Sequence, residues 1–412
     1  MKILSISNLD IWPAGENKGI PSIFFSQKGF VQRGHEVFFL SPAKMGKRGQ
    51  ELYQGIKIFR FKFPFLRLFS SISSLRLDRF CSHIKSTFLS NLELLFFQLL
   101  SLFWAIKIGC KLRPDLIYVH SLTPSFVGWL ASKLLRTRLV FRIYGTIDLY
   151  WKFRRPLARI KEFRSYLVFK LRPDYFVITR DGTQGARLAK KLGVREEKII
   201  DYRNGVDFSM YAPNLYTKEK LCQELGIGTD SKIILSLSKL IPFYAVERLI
   251  FSLVELFKVD PHIVCIVARD GPEMAKLKEF VSNNNIENRV IFVGYVDREF
   301  VKKLLNVCDV FVSVSEYSNT NNALFEAMVC ARCIVTLKDE TIEETLTHKK
   351  NAILVPLEEL NSLSNILGKV LSDDSMRERL GRQAQSRARE ILESWPERID
   401  REAQLLEALI KS

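Results

Sequence analysis

The stretch Ser315–Val335, SEYSNTNNALFEAMVCARCIV, decides the architecture. It follows DVFVSVS (residues 309–315), an apolar run with the composition of a buried strand. An Asn-rich turn then leads into Asn322-Ala323-Leu324-Phe325-Glu326-Ala327-Met328, whose pattern predicts a helix start. A short turn between a buried strand and a helix leaves backbone N–H groups unpaired at the helix N-terminus, where they and the helix dipole hold an anion. Glu326 falls early in that helix, where a carboxylate accepts from sugar hydroxyls. Strand, turn and acidic helix together suit a phosphate carrying a ribose: a nucleotide or a nucleotide-sugar.

Outward from this stretch the same pattern repeats. Apolar strands are expected at 233–237, 262–267, 290–293, 310–314 and 333–337, with helices such as 246–258 and 298–306 between them. The first half reads likewise, with strands at 2–7, 36–40, 115–119, 138–143, 174–178 and 199–202. A Gly-bearing loop, Ala14–Gly19, follows the first of them. Continuous apolar strands separated by helix-length segments mean parallel sheets covered on both faces. A polar stretch from Tyr211 to Ser231 reads as a hinge, so 412 residues divide into two doubly wound α/β domains, 1–210 and 211–395. Ligands in such domains bind beyond the carboxyl ends of the strands, and a cleft between two facing sheets is the expected site.

Charge separates the halves. Residues 1–210 carry 36 Lys and Arg against 15 Asp and Glu, a balance of +21, whereas residues 211–412 carry 26 against 30, a balance of −4. A basic half implies an anionic partner: a lipid headgroup, a membrane surface, a polyanionic glycan or a nucleic acid. Ile56–Arg79, IKIFRFKFPFLRLFSSISSLRLDR, mixes Phe and Leu with cations. That mixture suits a segment lying in the interface of an anionic membrane better than a nucleic-acid patch. A solvated basic face with its aromatics turned inward is the other reading. The apolar run in MKILSISNLDIW is too short for a cleavable signal, and a cytoplasmic location with peripheral membrane association is expected. Leu92–Cys110 approaches spanning length, but Glu93, Gln98, Lys107 and the strand that follows favour a buried helix. Seven cysteines without framework spacing fit a reducing compartment, and Cys330-x-x-Cys333 lacks the second pair of a metal site. No metal ligand set is expected.

Several short motifs now align in order. They are Gly19-Ile20-Pro21-Ser22, Arg33-Gly34-His35-Glu36-Val37, Arg113-Pro114-Asp115-Leu116-Ile117 and Asn204-Gly205-Val206-Asp207, then Leu237–Pro242, Asp270-Gly271-Pro272-Glu273, Phe292-Val293-Gly294 and Asn322–Met328. In this arrangement the chain resembles the retaining, nucleotide-sugar-dependent glycosyltransferases of family 4, with the two-domain GT-B fold. The resemblance implies a donor against the second domain, an acceptor against the first, and a C-terminal helix, 396–412, crossing back to the first domain. By the same resemblance the N–H groups near Asn322, Ala323 and Leu324 hold the diphosphate and Glu326 the ribose. Lys239 is the first cation of the phosphate clamp, Gly271 belongs to the donor-binding loops, and Gly294 and Tyr295 line the base. Gly19 and Ile20 face the donor sugar and acceptor. No cofactor is implied beyond the nucleoside-diphosphate sugar itself.

The chain also departs from that pattern. The family's second glutamate, eight residues before Glu326, is Ser318; the clamp lysine five residues after Lys239 is Tyr244; the frequent histidine of the first domain is Tyr144; and the first glycine of G-D-G-P is Arg269. Ser318, Tyr144 and Arg142 therefore stand at the expected catalytic positions. Removing one preorganised donor costs about 3–4 kcal/mol of transition-state stabilisation, and Arg142, Arg248 or Arg269 are the candidates to restore the charge. The expected activity is transfer of a sugar, with retention, to a lipid-linked or glycan acceptor in cell-envelope polysaccharide or glycolipid biosynthesis. Two alternatives stay open: a degenerate member that binds a nucleotide-sugar as a scaffold, and a sugar-nucleotide epimerase.

Overall fold

A computed structural model describes the chain except for residues 10, 12–20, 44–48, 63–78, 148, 156 and 317, with the backbone alone at 21 and 79–90. The first sheet contains β1 (Lys2–Ser7), β2 (Glu36–Pro42), β3 (Gly49–Tyr53), β4 (Ile56–Phe61), β5 (Leu116–His120), β6 (Arg138–Ile143), β7 (Tyr175–Thr179) and β8 (Ile199–Tyr202). Their order is β3-β4-β2-β1-β5-β6-β7-β8, parallel except for the β3–β4 hairpin. The second sheet contains β9 (Lys232–Ser236), β10 (Ile263–Val267), β11 (Val290–Phe292), β12 (Val310–Ser313), β13 (Cys333–Leu337) and β14 (Ile353–Val355), in the order β11-β10-β9-β12-β13-β14, all parallel. Both are doubly wound, as the apolar runs require.

Two readings change. The sequence IKIFRF is a strand, β4, which sends Ile56 and Ile58 into the core on one face of the sheet and Phe61 into the core on the other. Its cations are paired, Lys57 with Glu36 at 3.2 Å and Arg60 with Glu51, so this part of the basic segment is a strand within the sheet, between β3 and β2; residues 63–78 lie outside the described residues. The apolar run at 92–110 lies in a longer helix, Arg79–Leu112, that is buried on one side only. Phe97, Ala105 and Ile108 pack on the sheet, whereas Leu95, Leu99 and Phe103 are more than half exposed. Residues Asn91–Leu112 are long and apolar enough to cross a membrane by length and composition.

The other face of the first sheet is covered by two helices from opposite ends of the chain, Pro21–Gln32 and Trp395–Lys411. The second begins with a capping box between Ser394 and Glu397 and buries Ile399, Ala403 and Leu406 against the first domain. The two connections between domains run side by side, Val206 N–H donating to Glu393 O at 2.9 Å and Trp395 N–H to Val206 O at 3.2 Å. A Cβ at position 205 would stand 2.6 Å from Trp395 Cα, so only glycine lets them meet.

Candidate functional site

The cleft lies where the carboxyl ends of both sheets face each other. On its second-domain side, β12 leads through the Asn-rich turn into the helix Asn322–Val329, whose N-cap is Asn321. Asn321 Oδ1 accepts from Leu324 N–H at 3.0 Å. One of the three N–H groups expected to meet an anion is therefore capped. Those of Asn322 and Ala323, in the first helical turn, have no hydrogen-bond partner among the described residues. Asn322 Oδ1 accepts from Asn204 Nδ2 at 3.0 Å, which ties the helix start to the interdomain connection.

Glu326 stands one turn further on, half-buried, with Arg298 Nη1 3.9 Å from its carboxylate. Burial pushes its carboxyl up, and the Arg298 and Arg269 guanidiniums pull it partly back. Arg298 also reaches Asp207 of the interdomain connection at 3.4 Å and lies over the Phe25 ring of the first domain at 5.6 Å. Lys239 is exposed with no ion-pair partner among the described residues. Its loop is pressed onto Gly271, where a Cβ would meet Leu240 O at 2.2 Å. Gly294, at φ +68°, turns the chain so that Tyr295 stands half-exposed beneath the Arg269 guanidinium, 5.3 Å from the ring centre. Arg269 thus enters the cleft, whereas Arg248 donates to Val314 O at 3.4 Å.

The first-domain side differs from the sequence expectation at Arg142. Its guanidinium is buried, donating to Thr179 Oγ1 at 2.8 Å and to Asn204 Oδ1 at 3.4 Å, with Glu402 of the C-terminal helix 3.9 Å from Nε. An ion buried this deeply serves the interior; it meets Tyr144 from below, 4.6 Å from the ring centre, and does not line the cleft. Tyr144 is held from the other side by His120, whose Nδ1 lies 2.8 Å from its hydroxyl. Burial drives His120 down to about 3, so it is a neutral partner, and raises the Tyr144 phenol. Ser318 is also turned inward: its hydroxyl donates to the carbonyl oxygen of Asp181, across the domain boundary. Gly19 and Ile20 fall outside the described residues.

Residues 27–209 match the family model described as Glycosyltransferase Family 4, and residues 217–387 the model described as Glycosyl transferases group 1. Among curated relatives, N-acetyl-alpha-D-glucosaminyl L-malate synthase of Bacillus anthracis is 25% identical over 274 residues, 66% of this chain and 68% of that protein. The N,N'-diacetylbacillosaminyl-diphospho-undecaprenol alpha-1,3-N-acetylgalactosaminyltransferase of Campylobacter jejuni is 23% identical over 299 residues, 70% of this chain and 76% of its own. Anabaena HepE in complex with UDP and glucose superposes with a TM-score of 0.74 at 18% identity, covering 99% of this chain and 100% of that one. The chain belongs to the family 4-type GT-B glycosyltransferases.

In this glycosyltransferase the sequence motifs converge from distant places. The Lys239 loop lies on Gly271, Arg269 lies over Tyr295 and its charge reaches Glu326, so these segments of the second domain adjoin one another. Sequence reasoning missed Arg298, Asn204 and Asp181. Asn204 lay in a quoted motif and could have been found there. Arg298 and Asp181 carried no local signal, because their roles come from partners in the other domain or in the interdomain connection. Among the described residues no group of three His, Cys, Asp or Glu side chains gathers as a metal set.

Proposed function

We propose that this glycosyltransferase moves a sugar from a nucleoside-diphosphate donor to a lipid-linked or glycan acceptor, with retention of anomeric configuration. The observation that carries this reading is the joint arrangement of two open N–H groups at Asn322 and Ala323 with Glu326 one turn on and Lys239 and Arg269 nearby. The N–H groups and cations meet the diphosphate, Glu326 takes the ribose hydroxyls, and Gly294 and Tyr295 border the base. The departing diphosphate is then stabilised by the chain's own preorganised donors, without a metal or other cofactor. Tyr144 faces the reacting sugar. The HepE structures contain UDP, glucose and UDP-glucose, and the Campylobacter relative is named for a diphospho-undecaprenol acceptor, which favours a lipid-linked substrate here as well.

A membrane acceptor also explains the outer surface of the first domain. Leu95, Leu99 and Phe103 on the long helix, Phe126 and Leu134 on the next, and Leu157, Ile160 and Phe163 beyond them are exposed in one helical layer. Exposed Arg154, Arg155, Arg159, Lys161 and Arg164 are interleaved with the last group. Apolar side chains among cations suit the interface of an anionic membrane, which supports a peripheral position on a cytoplasmic face. The test of the donor reading is a thermal-shift panel of UDP-glucose, UDP-N-acetylglucosamine and GDP-mannose. A donor at about a hundred times its dissociation constant adds about 2.7 kcal/mol, so one of them is expected to raise the melting temperature clearly. No shift with any donor or with free UDP and GDP would remove this reading.

A further inference from the structure

In the family pattern a carboxylate stands eight residues before Glu326, and this chain has Ser318 there. We propose that Asp181, from the first domain, takes the place of that carboxylate at the donor sugar. The proposal rests on the donor reading above. Four observations carry it. The Ser318 hydroxyl donates to the main-chain carbonyl of Asp181, and a Cβ on neighbouring Gly182 would lie 3.2 Å from Ser318 Cα, so positions 181 and 318 occupy one place in the cleft. The carboxylate is fixed by one oxygen, Oδ1, which accepts from Thr183 N–H at 3.0 Å and Thr183 Oγ1 at 2.6 Å. Its other oxygen, Oδ2, takes no hydrogen bond from another described residue and lies 2.4 Å from where a Cβ of Gly145 would be. Asp181 also faces Tyr244, at the clamp position of the second domain, near enough for its charge to raise the Tyr244 phenol; the cavity of about 260 Å³ that Asp181 borders is lined by Arg180, Arg187, Arg203 and Thr320 and by none of the donor residues named above.

Gly145, beside Tyr144 and at φ +132°, is thus the residue that leaves room for the free oxygen. An ionised carboxylate there accepts from sugar hydroxyls. Its charge also opposes the positive charge that grows at the anomeric carbon while the bond to the diphosphate breaks. No bond to Asp181 forms. Burial pushes its carboxyl up to about 6, against the Thr183 hydrogen bonds and the Arg142 charge, which pull the other way. The titratable groups whose charge couples to it are Arg142 beneath and Tyr244 from the second domain, and Arg180, Arg187, Asp201, Arg203 and Glu344 line the cavity it borders. Arg142 stays charged and Tyr244, raised by burial and by Asp181 itself, stays neutral, so neither changes state near pH 6. The competing role is a brace: Thr183 Oγ1 also accepts from Thr146 N–H at 2.9 Å, which would make Asp181 a prop for the Tyr144 loop.

Two variants separate these roles. Asp181→Asn keeps an oxygen for Thr183 and loses the charge; Thr183→Val keeps the charge and loses the hydroxyl prop. Release of nucleoside diphosphate from UDP-glucose, UDP-N-acetylglucosamine and GDP-mannose is followed from about pH 5 to about pH 8, with binding of free UDP and GDP measured in parallel. Native turnover should fall as pH drops through about 6, because the carboxylate is then protonated. Asp181→Asn should lower turnover on the order of a hundredfold, lose that acid fall, and bind the free diphosphate within about twofold of native. Thr183→Val should keep the fall and move it to higher pH, since hydrogen bonds that favour the ionised form are gone. Native turnover and an unchanged acid fall in Asp181→Asn would overturn the proposal. So would equal damage in both variants with no acid fall in native protein, the signature of a brace. If the native protein binds neither UDP nor GDP, the donor reading fails and this proposal goes with it; diphosphate binding with a native-like Asp181→Asn removes this proposal alone.

Discussion

The two domains are built on the same parallel sheet and yet hold their sides of the cleft by different means. The second domain does it locally. Asn321 caps the helix that carries Glu326 five residues on from the cap, and Gly271 lets the Lys239 loop lie against its neighbour. The first domain does it through partners far away in sequence. Tyr144 sits on His120, which touches Gln27 at 3.3 Å, while Arg142 beneath it answers to Glu402 at the end of the chain. A site assembled locally survives changes elsewhere; one assembled at long range depends on the whole fold being closed.

The largest effect that would break or sharpen this contrast is at Glu402. Its buried carboxylate bonds Arg398 at 2.6 Å and accepts from Tyr118, with Arg142 close by. Glu402→Ala leaves two buried guanidiniums unanswered, and a loss of about 3–5 kcal/mol is expected by urea denaturation. A change below about 1 kcal/mol would mean that the first-domain side does not depend on the returning helix.

His120 gives the next effect. It titrates near the ordinary histidine value when unfolded and only at about 3 when folded, so the unfolded chain binds the proton more readily. The stability it allows is full above about pH 6.5 and drains away as pH falls, by about 3 kcal/mol at pH 4. Asp181 and Glu326, whose carboxyls are raised, push the opposite way, so the quantity to measure is the difference between native and His120→Gln across pH. The advantage of native protein over the variant should shrink towards acid, by about 3 kcal/mol at pH 4, and can reverse there. A flat difference would show that His120 is not the buried neutral partner of Tyr144.

The smallest effect concerns the charged exterior. Replacing Arg154, Arg155 and Arg159 with Glu should weaken flotation with phosphatidylserine vesicles by about 1 kcal/mol per cation removed, and more at low salt. Unchanged flotation would turn the basic first domain towards a glycan instead of a membrane.

Legibility in the sequence follows the same division. Most strands of both sheets stood out because buried parallel strands are continuous apolar runs; β14, only three residues long, and β3, an exposed antiparallel strand, did not. β4 was misread because IKIFRF alternates apolar residues with cations, which on its own fits a strand edge as well as an interfacial segment. On the donor side, Glu326 could be named from the turn and helix start beside it, whereas Lys239 and Gly294 were named from the order of the family motifs. The inward turn of Ser318 and the burial of Arg142 could not, because Asp181 and Glu402 lie 137 and 260 positions away and only the folded domains bring them together.

The central claim is that the second domain grips a donor by its diphosphate and ribose. Calorimetric titration of UDP and GDP into native protein and Glu326→Ala tests it most directly. The account predicts that native protein binds one of the two nucleotides and that the variant binds it more weakly by about 1.5–3 kcal/mol, the worth of hydrogen bonds to a charged group. Equal affinity in both proteins, or no binding to the native one, would contradict it.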